Sequence, residues 1–404
     1  MKVPKLRQEL DIYPIEYEKK IYFCVKDIEG YQEDILLLTP ELIFIASFFN
    51  GTNDYEVIKT TWSKNFKGEV ITDSDINEAV RILDEKLLLE TENFYQAKNR
   101  IRKQFMDELV RKPYLSGKSY PQEPEKLKEL LDNFFTTENG PGAIEKNNLL
   151  IKNIKGFIAP HIDFTRGGYC YAYSYKELAE SIKPRKAIIV GVAHSSPPYP
   201  YTLLDKDFQT PLGTLKFDRD FLHYLPDTLY KKLIEHQFTH KIEHSIEFQT
   251  VWLKHILDEQ EICIVPILSS VLPDNNTISE CIEFIEVCKK YIRDHNTDVI
   301  VIAGADLSHI GPRFGDNVEL TPDLLKWMEN KDLQSLAHCE NIDPEGFLQT
   351  TLATNDLRKV CGLSAIYTTL KILSGIAERG KLLKYGYAPD PIGGVVSFSS
   401  LIFT

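Results

Sequence analysis

From residue 154 onward, short apolar runs alternate with stretches in which apolar residues recur every three or four positions. The runs at 154–159, 186–192, 261–268, 298–303 and 395–403 read as strands. The periodic stretches at 173–182, 218–225, 244–257, 277–295, 322–338 and 363–379 read as helices. Strands separated by helices imply an α/β fold, a mostly parallel sheet with helices on both faces. The first hundred residues follow another pattern. Residues 13–25 and 34–38 are strand-like, and Thr39-Pro40 opens a helix in which Leu42, Ile45, Ala46 and Phe49 share a face until Asn50-Gly51 stops it. Helices at 54–64 and 74–85 follow, the latter with Ile76, Ala79, Val80 and Leu83 on one side, and Leu87–Leu89 read as a strand.

Three helices with short strands suggest a small α+β winged-helix unit. Its third helix carries Asp75, Glu78, Asp84 and Glu85 against Arg81 and Lys86, and an acidic helix of this kind repels phosphate. The expected organisation is a unit at 1–95, a charged linker helix at 96–111 and an α/β domain at 112–404. Within the last of these, SGKSYP at 116–121 marks a turn before a helix at 124–135.

Composition narrows the function classes. A chain of 404 residues with 43% hydrophobic and 26% charged residues has room for two folded domains. Its net charge of −12 argues against nucleic acid as a partner. The most apolar stretch, 35–49, is broken by Pro40 and Glu41 and falls short of the roughly 20 residues a membrane span needs. The opening residues lack the apolar core of an export signal, and seven cysteines without a C-x-x-C pair suggest reduced thiols, so a cytoplasmic protein is expected.

The candidate chemistry lies at strand ends. His161 follows one apolar strand, His194 a second, and Asp306 and His309 a third, in the phrase GADLSHIG. Ligands of open α/β sheets bind beyond the carboxyl ends of the strands, so these imidazoles should share a crevice, and three histidines suit iron, copper or zinc. Cys361 stands just before a helix, where the helix dipole favours a thiolate; a buried small hydrophobe is the plainer reading. Arg166-Gly167-Gly168 reads as a turn. The competitor is HKIEH at 240–244, which fits the inverted zinc-protease motif H-x-x-E-H. It needs both histidines on one helix, whereas the helix here starts at about Glu243. The remaining option places His244 and Glu247 along an edge of the cleft. No phosphate-binding loop, dinucleotide fingerprint or serine-nucleophile elbow is present.

Taken in order, SGKSY at 116–120, APHIDF with His161, GVAHSS with His194, EHSIEFQ with His244, GADLSHIG with His309, VCGLSA with Cys361 and the closing VVSFSSLIF resemble the Memo family, including members called AmmeMemoRadiSam system protein B. Memo proteins resemble class III extradiol dioxygenases. That resemblance implies His161 and His194 as metal ligands, His309 as a third active-site histidine (acid/base in the dioxygenases, a ligand in Memo proteins), and Cys361 where the dioxygenases place a glutamate. A thiolate at that place favours copper or another soft ion and puts ring cleavage in doubt. The first 95 residues resemble, more weakly, the PqqD-type domains that present peptides to radical-SAM enzymes.

The reading that follows is a metal-binding protein with redox or oxygen-dependent chemistry on a peptide or small molecule. Its metal would be iron or copper, with zinc as the third choice, and its partner a peptide or protein, such as a radical-SAM system. His244 and Glu247 would carry protons or touch substrate, and Asp306 would orient a histidine. The alternative is a non-catalytic peptide or phosphopeptide adaptor using the same cleft, and the third option is the zinc protease.

Overall fold

The computed structural model describes residues 2–145, 153–195, 197–257, 260–270, 278–354, 357–391 and 393–404. The chain forms two compact units, Met1–Glu108 and Leu109–Thr404.

The first unit opens with a hairpin of Leu10–Tyr17 and Lys20–Asp27, to which Leu36–Leu38 adds a third antiparallel strand. Its two-residue turn places Glu18 and Lys19 at φ 50° and 61°, the geometry that matches hairpin twist. Neither residue advertises it, so the turn is not legible in the sequence. Helices Pro40–Ala46, Tyr55–Asn65 and Asp73–Glu85 fall where expected, with Thr39, Asp54 and Thr72 as N-caps. Ile45, Ile58, Ile76 and Leu83 from these helices form a core with Val25 and Leu38. After the third helix no strand pair follows among the described residues. Leu89 makes only an isolated bridge to Leu6, so the expected wing is not seen. The segment expected as a linker forms the helix Glu92–Asp107, which falls within the first unit.

The second unit is α/β, built on a large mixed sheet. At its centre lie four parallel strands in the order Gly156–Ala159, Val299–Gly304, Lys186–Val192 and Cys263–Ser269. Gly394–Phe403 pairs antiparallel with the first of these and with both Asp306–Ile310 and Gly380–Asp390. Gly213–Phe217, Asp207–Thr210 and Val110–Arg111 extend the other edge. The parallel centre matches expectation, whereas the short flanking strands carry too few apolar residues to announce themselves.

The central strands are buried on both faces. Ile188, Val190, Val265, Ile267, Val301 and Ala303 join a core with Leu370 and Leu373 of helix Leu363–Leu373. The opposite face carries helix His244–Leu257. That helix sits very close, since a Cβ on Gly191 would lie 2.4 Å from Ser245 Oγ and one on Gly304 2.2 Å from the Ser245 carbonyl. Gly167 and Gly168 are not a turn as expected. They lie inside helix Phe164–Ala179, where a Cβ would strike Ile162 and the Phe134 ring.

Glu247, expected as a cleft residue, is fully buried in an ion pair with Arg111. It also accepts the backbone N–H groups of Tyr114 (3.0 Å) and Leu115 (2.8 Å) and the hydroxyl of Tyr120. It lies one turn beyond His244 on the helix, where donors of the segment 111–120 engage both its oxygens. Arg111→Met would strand this carboxylate, and losing one partner of a buried pair costs about 3–5 kcal/mol. A urea titration should show that loss in the unfolding of the second unit, with Arg111→Met/Glu247→Gln recovering part of it.

Candidate metal centre

The carboxyl ends of three adjacent parallel strands supply the site. Gly156–Ala159 leads to His161, Lys186–Val192 to His194, and Val299–Gly304 to Asp306. His161 is buried; its Nδ1 lies 3.0 Å from the Gly304 carbonyl and its backbone N–H donates to Asp306 Oδ1 at 2.9 Å. A carbonyl only accepts, so Nδ1 carries the proton and Nε2 is left as the lone-pair nitrogen. That Nε2 stands 3.3 Å from Cys361 Sγ and 3.7 Å from Asp306 Oδ2.

Cys361 reaches this place because its loop is pressed onto the strand that carries Asp306. The Gly362 N–H donates to the Asp306 carbonyl at 3.1 Å, and a Cβ on Gly362 would lie 2.3 Å from that oxygen. Below the loop, buried Arg358 pairs with Asp332, which also accepts from Ser308, Ser397 and Tyr385. The donor atoms of His161, His194 and Cys361 lie within 4.8 Å of one another, and those of His194, Glu243 and His244 form a second such group. The three rings pack closely, with centroids 5.1 Å apart for His161–His194, 5.0 Å for His161–His244 and 4.6 Å for His194–His244.

His309 belongs to neither donor group among the described residues. The strand pairing is irregular between Asp306 and His309, the ring packs on Phe314 at 4.9 Å, and Nδ1 lies 3.1 Å from the Leu307 carbonyl. Asp306 holds His161 through its backbone N–H. Cys361 is not a ready thiolate, because burial drives its thiol well above the usual range and the nearby Asp306 carboxylate adds to the shift. As for the protease motif, His240 lies in a separate 3-10 helix, Gln237–Lys241, with Nε2 on the Thr202 carbonyl at 3.0 Å, and enters neither group.

The residue that sequence reasoning missed is Glu243. Its buried carboxylate lies 3.0 Å from His194 Nδ1 and 3.2 Å from His244 Nδ1. Burial alone would raise its pKa, but the two histidines together hold it well below the carboxylate range. The available signal was its position one residue before the helix starting at His244, where an acidic side chain caps exposed N–H groups.

Comparison with known proteins agrees with this architecture. An α/β sheet whose strand ends gather histidines and one cysteine is the class of protein described here. The family model described as Memo-like protein matches residues 111–401. The chain belongs to the Memo family. A MEMO1 family protein of Aquifex aeolicus is 28% identical over 383 residues, covering 94% of this chain and 96% of its own length. MEMO1 family proteins of Methanopyrus kandleri and Methanocaldococcus jannaschii, each 28% identical, cover 73% and 72% of this chain but 99% and 98% of their own. The second unit thus corresponds to nearly the whole of those two archaeal relatives.

Burial drives His244 and His309 down to about 3, with Glu243 and the Leu307 carbonyl opposing the shift respectively. Both rings are therefore neutral in the folded protein, whereas an unfolded histidine takes up a proton near pH 6.5. Below that pH the unfolded state binds more protons, so stability falls as pH drops from about 6.5 toward 3. For His309 the penalty should reach roughly 1–2 kcal/mol at pH 5. The metal-free His309→Asn variant should accordingly lose less stability than the wild type between pH 7 and pH 5, read from thermal melts at each pH.

Proposed function

We propose that His161, His194 and Cys361 bind a transition-metal ion, and that the protein carries out redox or oxygen-dependent chemistry at the strand ends. The observation that carries this reading is the 3.3 Å approach of the lone-pair Nε2 of His161 to Cys361 Sγ, with a His194 donor atom in the same cluster. The donor set fits such an ion: two imidazoles and a thiol that burial keeps protonated until a cation replaces its proton. One soft sulfur among nitrogens directs the choice toward copper, with iron and zinc as competitors. When bound, the ion supplies Lewis-acid or one-electron chemistry.

The protein's own groups define what surrounds it. Asp306 holds His161 in place through its backbone N–H. His244, neutral and partly open to solvent, serves as the proton carrier beside the ligands. His309 lines the wall against Phe314. For delivery, we infer that the first unit presents a peptide. Its three-stranded sheet exposes Tyr17, Ile21 and Leu37, with Ile35 just before the third strand, and its outer strands each pair on one side only among the described residues. Such edges accept an added strand.

Protein purified without a histidine tag and without added metal should contain copper or iron near stoichiometry by elemental analysis. His161→Ala and Cys361→Ser should each lower affinity at least tenfold, while His240→Ala should leave it within twofold. Oxygen uptake with candidate peptides then separates chemistry from adaptor binding, since an adaptor would bind peptide with no uptake. A preparation that binds no transition metal tightly, or in which His240→Ala is the damaging variant, overturns the proposal.

A further inference from the structure

The carboxylate of Glu243 is heavily engaged by donors of this chain. It accepts the backbone N–H groups of His194 at 3.0 Å, His244 at 2.9 Å and Ser245 at 3.2 Å. It also meets His194 Nδ1 at 3.0 and 3.1 Å and His244 Nδ1 at 3.2 Å. An ionised carboxylate offers about four lone-pair sites, and these donors use them all. The group His194, Glu243 and His244 therefore lacks a free oxygen lone pair for a second cation, although its atoms are close enough to suggest one.

A carboxylate that only accepts decides the tautomer of any imidazole hydrogen-bonded to it. His194 Nδ1, hydrogen-bonded to Glu243, carries the proton, and His244 Nδ1, 3.2 Å from the same carboxylate, is set to do likewise, which leaves Nε2 of each ring as the lone-pair nitrogen. We propose that Glu243 is a positioning residue shared by two rings: one buried carboxylate fixes the tautomer and direction of His194 and His244 together. His161 reaches the same tautomer separately, through the Gly304 carbonyl. His244 is thereby presented beside His161 and His194 with its Nε2 lone pair, rather than an N–H, turned away from Glu243. Glu243 does this from the end of the helix whose first N–H groups it caps, so the orientation of both rings is tied to the seating of that helix.

The tautomer claim stands on the metal-free protein; only its effect on affinity rests on the metal-binding reading. Full-length protein labelled with 15N at histidine, free of metal and held at pH 8, gives the tautomer of each ring from two-bond nitrogen–proton correlations. His194 and His244 should both show an unprotonated Nε2. In Glu243→Gln the amide NH2 must replace an oxygen; placed where Oε2 now accepts from His194 N–H and Nδ1 it meets donors, so His194 should shift to a mixture of tautomers. Glu243→Asp keeps a helix cap but is one methylene short, and should release His194 while the helix stays folded. Tyr120→Phe, which removes a hydrogen bond from the same helix at Glu247 without touching either ring, should leave both tautomers unchanged. Copper affinity should fall about 10–100-fold in Glu243→Gln, the usual effect of losing a partner behind a ligand histidine. If both tautomers persist in folded Glu243→Gln and Glu243→Asp, the proposal is wrong even where the wild type binds metal. If the tautomers respond as described while wild-type protein binds no metal, the positioning role stands and the metal reading falls.

Discussion

The second unit depends on how closely helix His244–Leu257 lies on the sheet. Two glycines, Gly191 and Gly304, remove the side chains that would hold it away. In the space gained, Ser245 Oγ donates to the Val192 carbonyl at 3.0 Å and accepts its N–H at 2.9 Å, so the helix is pinned to the last residue of a central strand. Parallel strands end with backbone groups that need partners when buried, and this serine supplies them just before the chain leaves the sheet toward His194. The helix start and the strand end are thus brought together by packing, and Glu243 can reach across from one to the other.

The electrostatic character of the site follows from the same enclosure. Burial pushes His161, His244 and His309 toward the neutral form and raises Asp306, while Glu243 remains charged because N–H donors surround it. Neutral imidazoles and a protonated thiol can be buried at modest cost. A cluster of the same residues in charged form could not be, unless a cation joined it. Two buried ion pairs of the second unit, Arg111–Glu247 and Arg358–Asp332, carry lasting charges in these surroundings. One anchors the segment that enters the domain, and the other lies beneath the loop that brings Cys361 to His161.

Much of this was legible in the sequence because the central strands are long, apolar and bounded by helices. Residues 186–192 and 244–257 match the observed elements end to end. His161 and His194 come together at strand ends, and Cys361, which the resemblance rather than the strand pattern pointed to, lies with them. His309 and Glu247 show where periodicity stops being informative. An irregular strand directs the first against Phe314, and donors from residues 111–120 hold the second one helical turn beyond His244. Neither a bulge nor a distant partner leaves a local signal. Glu243 was hidden for the opposite reason, since it lay within a five-residue motif whose familiar reading assigned it to water activation. The short strands 201–203, 207–210 and 306–310 were missed because their pairing partners, rather than their own composition, make them strands.

The closeness of the helix to the sheet also bears on inheritance. Every alternative residue at Gly191 adds at least a Cβ, which would press on Ser245 and shift the helix that carries Glu243 and His244. A population of random variants would therefore lose the site through this glycine while every histidine, the cysteine and the glutamate remained intact. Selection on the chemistry would be recorded at a position that has no chemistry of its own.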